Sequence, residues 1–238
     1  MRIVTWSCNG GFARKLPMVQ SLTSDLLVLQ EVSLRHCEQL DWGPFLWTGR
    51  GHRGVAVISC TGRPIHLDPS FDPQLPHFLP VVTDGVHVLA CWASVLTPTV
   101  RYVRPLHRAL DHYAAFVNHT PGILLGDLNS STVFDTKHRH LSHTLLVERL
   151  TNQGYASLWH HQQGERHGEE SRPTFYMYRR SERTWHLDYV FLTPDLLPGA
   201  HLSIGSPEAW LQWSDHLPLI VDLPALDVVP SQVRWPKQ

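Results

Sequence analysis

Acids, an amide and a histidine end or interrupt apolar runs in four distant parts of the chain. In sequence order they are Glu31 after LLVLQ, Asp127 and Asn129 after ILLG, Asp188 in HLDYVF, and Asp215 with His216 before LPLIVDL. An ionised carboxylate at the edge of a core costs several kcal/mol unless a cation, hydrogen-bond donors or water receive it. If the strands that carry these groups end at one rim of a sandwich, the groups converge into one site.

Such a set of side chains fits one kind of chemistry. Hard oxygen ligands with few thiols indicate Mg²⁺ or Mn²⁺, and an ion held by carboxylates polarises a phosphoryl oxygen and stabilises a leaving oxyanion. A histidine beside a carboxylate is suited to proton transfer or charge stabilisation near neutral pH. The residue types therefore predict metal-assisted chemistry on a phosphoester.

The elements that must position these groups are mostly strands. MRIVTWSC, DLLVLQE, GVAVISC and GILLGD are short and β-rich, and the second is expected to end on Glu31. Two apolar runs around Asp84-Gly85 predict a hairpin. TFYMYRR and WHLDYVFL also predict strands, whereas the proline-rich stretch 64–80 predicts a surface connection without helix.

Helices are expected between the strands. RKLPMVQSL and SLRHCEQL predict short helices, and RPLHRALDHYAAFV predicts an amphipathic one. In the latter, Leu106, Leu110, Tyr113 and Val117 recur at the spacing of one buried helix face. Strands dominate and hairpins occur, so the sequence favours an α/β or α+β sandwich of mixed sheets over a doubly wound parallel sheet.

Composition restricts the class of protein. The 238 residues, 42% of them hydrophobic and 17% charged, fit one large domain over 1–238 with a C-terminal tail from about 224. Four scattered cysteines without a CxxC pair argue against a disulfide framework. Neither a signal peptide nor a membrane span is visible, so a cytoplasmic protein is expected. The net charge of −1 excludes a globally basic nucleic-acid binder and leaves only a local contact patch.

Five motifs together carry a family resemblance. MRIVTWSCNG, LVLQE, GDLNSS, HLDYVF and SDHLPLIVDL occur in the order, and at about the intervals, of the endonuclease/exonuclease/phosphatase superfamily, which the chain resembles from Arg2 to about Leu223. GDLN followed much later by SDHLP is a specific combination. The resemblance implies a DNase I-like four-layer sandwich, with two mixed β-sheets face to face and helices outside. It also implies metal-dependent cleavage of a phosphoester by in-line attack of water.

The resemblance implies a metal site built from four positions. Glu31 matches the principal ligand of Mg²⁺ or Mn²⁺, and Asp215 lies near the ion, as a ligand or through water. Relatives usually carry Asn where this chain has Ser7, whose hydroxyl is a shorter and weaker donor than an amide carbonyl. Ser7 is therefore expected to reach the ion through water, with help from Asn9.

The resemblance to the superfamily also implies the catalytic roles. Asp127 resembles the carboxylate that orients or deprotonates the water, and Asn129 the amide that holds a phosphate oxygen. His216 resembles the histidine that stabilises the pentacovalent phosphorane, and Asp188 the acid that fixes this histidine by hydrogen bonding. Taken singly, each of these residues also fits a turn or a satisfied core position.

Three further residues are candidates for substrate binding. Relatives carry Tyr or His on the strand where this chain has Trp92, and an indole N–H donates a hydrogen bond but does not give up a proton in catalysis. The alternative for Trp92 is a core position. Arg101 and Arg104 follow that strand and are suited to clamp a phosphate, with a solvated helix start as the alternative.

Histidine-rich stretches elsewhere suggest zinc but lack cysteine partners. We expect the histidines of these stretches to be surface residues. They are His138, His140, His143, His160, His161 and His167.

Three functions are compatible with the sequence. The preferred one is a Mg²⁺- or Mn²⁺-dependent phosphodiesterase acting on DNA or RNA, because the chain is small and lacks the extra domains of lipid-directed relatives. A phosphatase or phosphodiesterase for a small molecule or lipid head group tolerates the near-zero charge better. A noncatalytic binding protein that kept the fold is the third, motivated by Ser7 and Trp92.

Overall fold

A computed structural model of the chain describes residues 1–40, 42–95, 102–137 and 141–224. The strands in these ranges are β1 Arg2–Ser7, β2 Leu26–Val32, β3 Phe45–Arg50, β4 Arg53–Ser59, β5 His66–Leu67, β6 Phe78–Thr83, β7 Val86–Trp92, β8 Gly122–Asp127, β9 Ala156–Ser157, β10 Phe175–Tyr176, β11 Thr184–Trp185, β12 Asp188–Leu192, β13 His201–Ile204 and β14 Leu219–Asp222. The α-helices are α1 Leu16–Gln20, α2 Leu34–Glu38, α3 Val103–His112, α4 Ala114–Val117, α5 His143–Asn152, α6 Leu158–Gln163 and α7 Pro207–Trp210. Short 3₁₀ turns occupy Phe12–Lys15, Thr132–Lys137, Met177–Arg179 and Pro194–Leu196.

Most of the strands form two six-stranded sheets. The first has the order β13-β14-β1-β2-β4-β3, and the second has the order β5-β6-β7-β8-β12-β9. In each sheet the central pair is parallel, β1 with β2 and β7 with β8, and the remaining pairs are antiparallel. Both sheets are therefore mixed, which confirms the expectation of mixed sheets in an α/β fold.

Side-chain alternation along the strands divides the core into three parts. Residues such as Val28 of the first sheet and Val88 of the second point inward and pack between the sheets. Leu29 and its neighbours pack outward against α1, α2 and α7. Leu124 and its neighbours pack outward against α3, α4 and α5. Because each fully buried aliphatic side chain contributes about 1.5–3 kcal/mol, these faces fix the four-layer arrangement.

Several local predictions are confirmed. β6 and β7 form the predicted hairpin, with positive φ at Asp84 and Gly85, as a type I′ turn requires. The amphipathic segment becomes α3 followed by α4, with its predicted apolar face buried. The four cysteines are free. Among the described helices none has the length and apolar character needed to cross a membrane.

Three local predictions are wrong. β2 does not stop at Glu31 but continues to Val32, with a bulge between Gln30 and Val32. TFYMYRR holds only the two-residue strand β10 before the chain turns at Met177–Arg179. The proline-rich stretch 64–80 is not only a surface connection, because it contains β5 and the start of β6. The proposed tail lies outside the described residues beyond position 224.

Candidate active site

The sheet registers bring the predicted site residues to one rim. In the first sheet Ser7 pairs with Gln30, directly before Glu31. In the second sheet Asp188 pairs with Asp127. The Ser7 hydroxyl donates a hydrogen bond of 3.2 Å to Asp127 Oδ2, so the two sheets meet at this point.

Asp127, Asp188 and His216 form the centre of the site. One side-chain donor atom of each lies within 4.8 Å of those of the other two, and all three residues are buried. His216 Nδ1 lies 2.9 Å from Asp188 Oδ2, and His216 Nε2 lies 3.7 Å from Asp127 Oδ2. With Nδ1–H donating to Asp188, the Nε2 edge of the imidazole faces Asp127.

The backbone of His216 is fixed by residues that the sequence analysis missed. The Trp6 indole donates a hydrogen bond of 2.9 Å to the His216 carbonyl. Ser214 Oγ accepts the His216 N–H at 3.1 Å and donates to the Ser7 carbonyl at 2.7 Å. The Phe175 ring lies 4.7 Å from the imidazole, centroid to centroid. Because both strands and loops contribute to these contacts, the imidazole is held in one orientation.

Thr174 supports Asp188 and was also missed by the sequence analysis. Its hydroxyl donates a 2.6 Å hydrogen bond to Asp188 Oδ2 and accepts the N–H groups of Leu187 and Asp188 at 3.0 Å each. Asp188 Oδ2 therefore accepts hydrogen bonds from both Thr174 and His216, and these bonds orient the carboxylate toward the histidine.

We expect Thr174→Val to destabilise the fold and to impair the site. The isosteric change takes the Thr174 oxygen away from the N–H groups of Leu187 and Asp188, at about 1–3 kcal/mol for each unsatisfied group, and removes one of the two hydrogen bonds that Asp188 Oδ2 accepts. Urea unfolding measures the first effect, and phosphodiesterase activity measures the second. Thr193→Val is the matched control, because buried Thr193 accepts the Gly122 N–H at the opposite end of the β8–β12 pair. Equal activity losses in both variants would contradict the positioning role of Thr174.

Asn129 folds back onto Asp127. Its backbone N–H donates to Asp127 Oδ1 at 2.9 Å, and its side-chain Nδ2 donates to Oδ2 at 3.0 Å. Gly126 makes this geometry accessible, because its φ is +132° and an added Cβ would lie 2.0 Å from the Cys91 carbonyl oxygen. The end of β8 therefore holds the Asp127 carboxylate and the Asn129 amide in direct contact.

Glu31 lies on the bulge in β2 and has a φ of +62°. A bulge re-aims a side chain, and a positive φ in a non-glycine residue stores strain that is typical of functional positions. Asn9 and Asn129, on the same rim, also have positive φ values. The Glu31 carboxylate accepts a short hydrogen bond from Arg53, which the sequence analysis did not identify.

Glu31 interacts electrostatically with the residues at the centre of the site. Burial raises the pKa of Glu31, Arg53 and His216 lower it, and Asp215 raises it. Asp215 Oδ1 in turn accepts a 3.1 Å hydrogen bond from Asn9 Nδ2. Glu31 and Asp215 therefore belong to the same charge cluster as His216.

Burial also controls the charges at the centre. It raises the pKa of Asp127, which is fully buried; His216 opposes this shift, while Asp188 and Glu31 add to it. For His216, burial alone lowers the pKa, but the carboxylates of Asp188 and Asp127 outweigh it and raise the pKa. The His216 imidazole thus lies between the carboxyl groups of Asp188 and Asp127.

A cavity of about 450 Å³ opens beside Asn129. Its lining is largely apolar and includes four aromatic residues, Tyr102, Phe134, Phe175 and Trp185. The Trp185 ring centroid lies 5.8 Å from that of Phe134 and 6.2 Å from that of Phe175. Flat apolar groups of this kind bind the faces of bases or sugars.

The predicted substrate-binding residues occupy different places. Trp92 is 9% exposed, belongs to the inter-sheet core and lies 4.5 Å from the ring of His77. Arg104 is exposed in the first turn of α3, next to Val103, which lines the cavity. Arg101 lies outside the described residues.

The donor set fits a hard divalent cation. Carboxylates of Glu31, Asp127 and Asp215 share one charge cluster, and Glu31 is already paired with a cationic group, Arg53. The raised pKa values of Glu31 and Asp127 report mutual repulsion and desolvation that a bound cation relieves. Oxygen donors of this type are the ligands that Mg²⁺ and Mn²⁺ prefer.

Fold and site together define a hydrolase of phosphate esters with a divalent-metal type of centre. The chain belongs to the endonuclease/exonuclease/phosphatase family, whose sequence profile matches residues 4–216. No curated protein matches the sequence.

Solved structures share the fold at low sequence identity. A 3'-5' exonuclease (NExo) from Neisseria meningitidis is 21% identical, with a TM-score of 0.69, over 94% of this chain and 99% of that one. A variant of the 3' phosphatase NExo from Neisseria, bound to product DNA hairpin, is 20% identical with a TM-score of 0.70, over 94% and 100% of the two chains. An AP endonuclease from Archaeoglobus fulgidus is 19% identical, also with a TM-score of 0.70 over 94% and 100%.

Proposed function

We propose that this protein is a Mg²⁺- or Mn²⁺-dependent nuclease that hydrolyses phosphodiester bonds of nucleic acid. The observation that carries the proposal is the Asp127–His216–Asp188 cluster, buried at the rim next to a cavity lined by aromatic rings. A structural core position does not account for it, because the cluster places two desolvated carboxylates on either side of one imidazole.

Glu31 and Asp215 are the proposed ligands of the ion. Arg53, whose side chain is half exposed, leaves Glu31 or shares it when the ion binds. The bound ion supplies Lewis-acid activation of the phosphoryl group and stabilisation of the leaving oxygen. In the structure Ser7 donates to Asp127 and Asn9 donates to Asp215, so we propose that both orient carboxylates, whereas the sequence predicted that they reach the ion through water.

The remaining residues act on the water and the phosphate. Asp127 orients and deprotonates the attacking water, because its carboxylate is buried and its raised pKa makes it a better base than an exposed aspartate. The His216 imidazolium, oriented by Asp188, stabilises negative charge that develops on a phosphoryl oxygen. Asn129 exchanges its hydrogen bond to Asp127 for one to another phosphate oxygen.

Nucleic acid is the substrate class that the cavity favours. Phe134, Phe175 and Trp185 present ring faces beside Asn129, where a base or sugar next to the scissile phosphate would lie. The solved relatives support this choice, since one was captured with a DNA hairpin. A net charge of −1 indicates recognition by a local site rather than a long basic track.

A substrate panel tests this proposal. Metal-depleted protein is titrated with Mn²⁺ in the presence of duplex DNA with a 3' phosphate, duplex DNA with an abasic site, single-stranded DNA, RNA, and a chromogenic small phosphodiester. We expect metal-dependent cleavage of at least one nucleic acid and weak turnover of the small ester. Turnover of the small ester alone would instead show that the protein is a small-molecule phosphodiesterase. If no substrate were turned over, the protein would be a noncatalytic binding protein.

Glu31→Gln is expected to weaken the response to metal. Loss of one ligand charge should raise the Mn²⁺ concentration for half-maximal activity roughly tenfold or more, because ligand charge sets the affinity of hard cations. Calorimetric titration of Mn²⁺ measures the same change without substrate. The matched control is Glu38→Gln, at an exposed position at the end of α2. An unchanged Mn²⁺ affinity would show that Glu31 does not bind the ion.

A further inference from the structure

A second cluster of metal-binding side chains lies on the outer side of the second sheet. One donor atom from each of His160, His167 and Glu170 lies within 4.8 Å of the other two. The His160 and His167 rings are stacked with their centroids 3.5 Å apart. The sequence analysis assigned these histidines to the surface, which is wrong for His160, because only 9% of its side chain is exposed.

Hydrogen bonds fix the orientation of this cluster. Glu170 Oε1 accepts the Gly168 N–H at 2.9 Å and lies 3.1 Å from His160 Nε2. The other nitrogen of His160, Nδ1, lies 2.7 Å from Ser157 Oγ. Metal-binding histidines commonly donate their second N–H to such a partner, which leaves Nε2 as the ligand atom.

His143 lies next to this cluster. It is fully buried at the start of α5, which corrects the expectation of a surface position, and its ring lies 5.7 Å from that of His167. Both ring nitrogens of His143 and Nδ1 of His167 are buried and have no hydrogen-bond partner within the described part of the chain. Buried polar atoms without partners are rare in native proteins and call for an explanation such as an ion.

The contact between His160 and Glu170 does not explain the rest of the arrangement, because three nitrogens of His143 and His167 still have no partner among the described residues. Burial lowers the pKa of His143 to about 4 and that of His167 to about 3, so both rings are neutral. Neutral imidazole is the form that binds metal.

We propose that His160, His167 and Glu170, with His143 as the fourth ligand, bind a structural zinc ion. Imidazole and carboxylate suit zinc, and four protein ligands make a closed site. Ligands about 2.0–2.1 Å from a tetrahedral ion stand roughly 3.4 Å apart. The donor atoms of His160, His167 and Glu170, which lie within 4.8 Å of one another, therefore need to close by up to about 1.4 Å, and His143 has to approach them from beside the group.

The ion would anchor the segment 164–174. This stretch joins α6 to β10 and contains neither helix nor strand. It carries His167 and Glu170, and it ends at Thr174, which supports Asp188 in the candidate active site. The proposed zinc site is separate from the rim and does not depend on the proposed nuclease activity.

Zinc binding to tag-free, chelator-treated protein tests the proposal. Calorimetry is done in excess Mg²⁺, which occupies the oxygen-rich rim, and we expect one zinc ion per chain. His167→Ala and Glu170→Gln should lose this binding, whereas the exposed neighbours provide the controls His161→Ala and Glu169→Gln, which should keep it. Glu170→Gln retains a hydrogen-bonding side chain, so its loss of zinc separates metal binding from hydrogen bonding.

Two readouts on the wild-type protein keep the test valid if a variant does not fold. Co²⁺ should give the intense visible bands of a tetrahedral site, and zinc at a hundredfold excess over Kd should raise Tm by roughly 5–10 °C. Absence of zinc binding by the wild type, or full zinc binding by folded Glu170→Gln, would overturn the proposal.

Discussion

Asp127→Asn is expected to lower kcat by about 10³-fold, within the 10²- to 10⁴-fold range of general-base catalysis. The amide cannot accept a proton from water, although it has nearly the shape of the carboxylate. The fold should survive with a modest loss of stability, because removing the charge relieves repulsion from Asp188 and Glu31 but also weakens the hydrogen bonds from Ser7 and Asn129 and the attraction to His216. Single-turnover kinetics at saturating Mn²⁺ measure the effect.

The matched control for this variant is Asp195→Asn, which changes an exposed aspartate in the turn after β12. We expect the control to keep wild-type kcat. In the presence of a chelator, Asp127→Asn should still unfold cooperatively, at a Tm only a few degrees below that of the wild type. Activity above a tenth of the wild-type value in Asp127→Asn would remove Asp127 from the role of base.

His216→Gln is expected to have the second large effect, a decrease in kcat of about 10²- to 10⁴-fold. Glutamine can still donate a hydrogen bond but carries no positive charge, so it stabilises the transition state poorly. His201→Gln, at an exposed position in β13, is the control and should be fully active. A His216→Gln enzyme with wild-type kcat would contradict the proposed charge stabilisation.

The same residue predicts how stability depends on pH in the metal-free protein. Although burial lowers the pKa of His216, Asp188 and Asp127 raise it from 6.5 to about 10. A group whose folded pKa is raised contributes stability that is fully present below its unfolded pKa and is lost as the pH rises through its folded pKa. The stability difference between wild type and His216→Gln, measured by urea unfolding with a chelator, should therefore shrink as the pH rises from 6.5 to about 10. A difference that grows over this range would contradict the ion-pair geometry.

The sequence was sufficient for the fold class and for bringing the candidate site residues to one rim. Most β-rich runs, the Asp84-Gly85 turn and the spacing of apolar residues in α3 depend on local chain physics, and these predictions are confirmed, whereas TFYMYRR holds only a two-residue strand. Asp127 is the last residue of β8 and Asp188 the first of β12, and the antiparallel register places them side by side. The order of the five motifs was therefore enough to predict most of the fold.

Contacts between distant segments could not be read from the sequence. Arg53 reaches Glu31 only because β2 carries a bulge, and nothing in LLVLQEV marks an extra residue. Thr174 donates a hydrogen bond to Asp188, and Trp6 donates one to the His216 carbonyl. Side chains of these types are common in any core, so nothing in the sequence marks them. The histidine cluster was missed because its members are separated along the chain and become buried only when α5 and α6 pack on the second sheet.

A crystal structure soaked in Mn²⁺ tests the central claim most directly, because the anomalous signal locates the ion without reference to activity. We predict one Mn²⁺ at the rim, bound to the carboxylate of Glu31, near Asp215 and within reach of Asp127, with Arg53 displaced or sharing Glu31. A rim without Mn²⁺ at millimolar concentration, or an ion bound there without any contact to Glu31, would contradict the account.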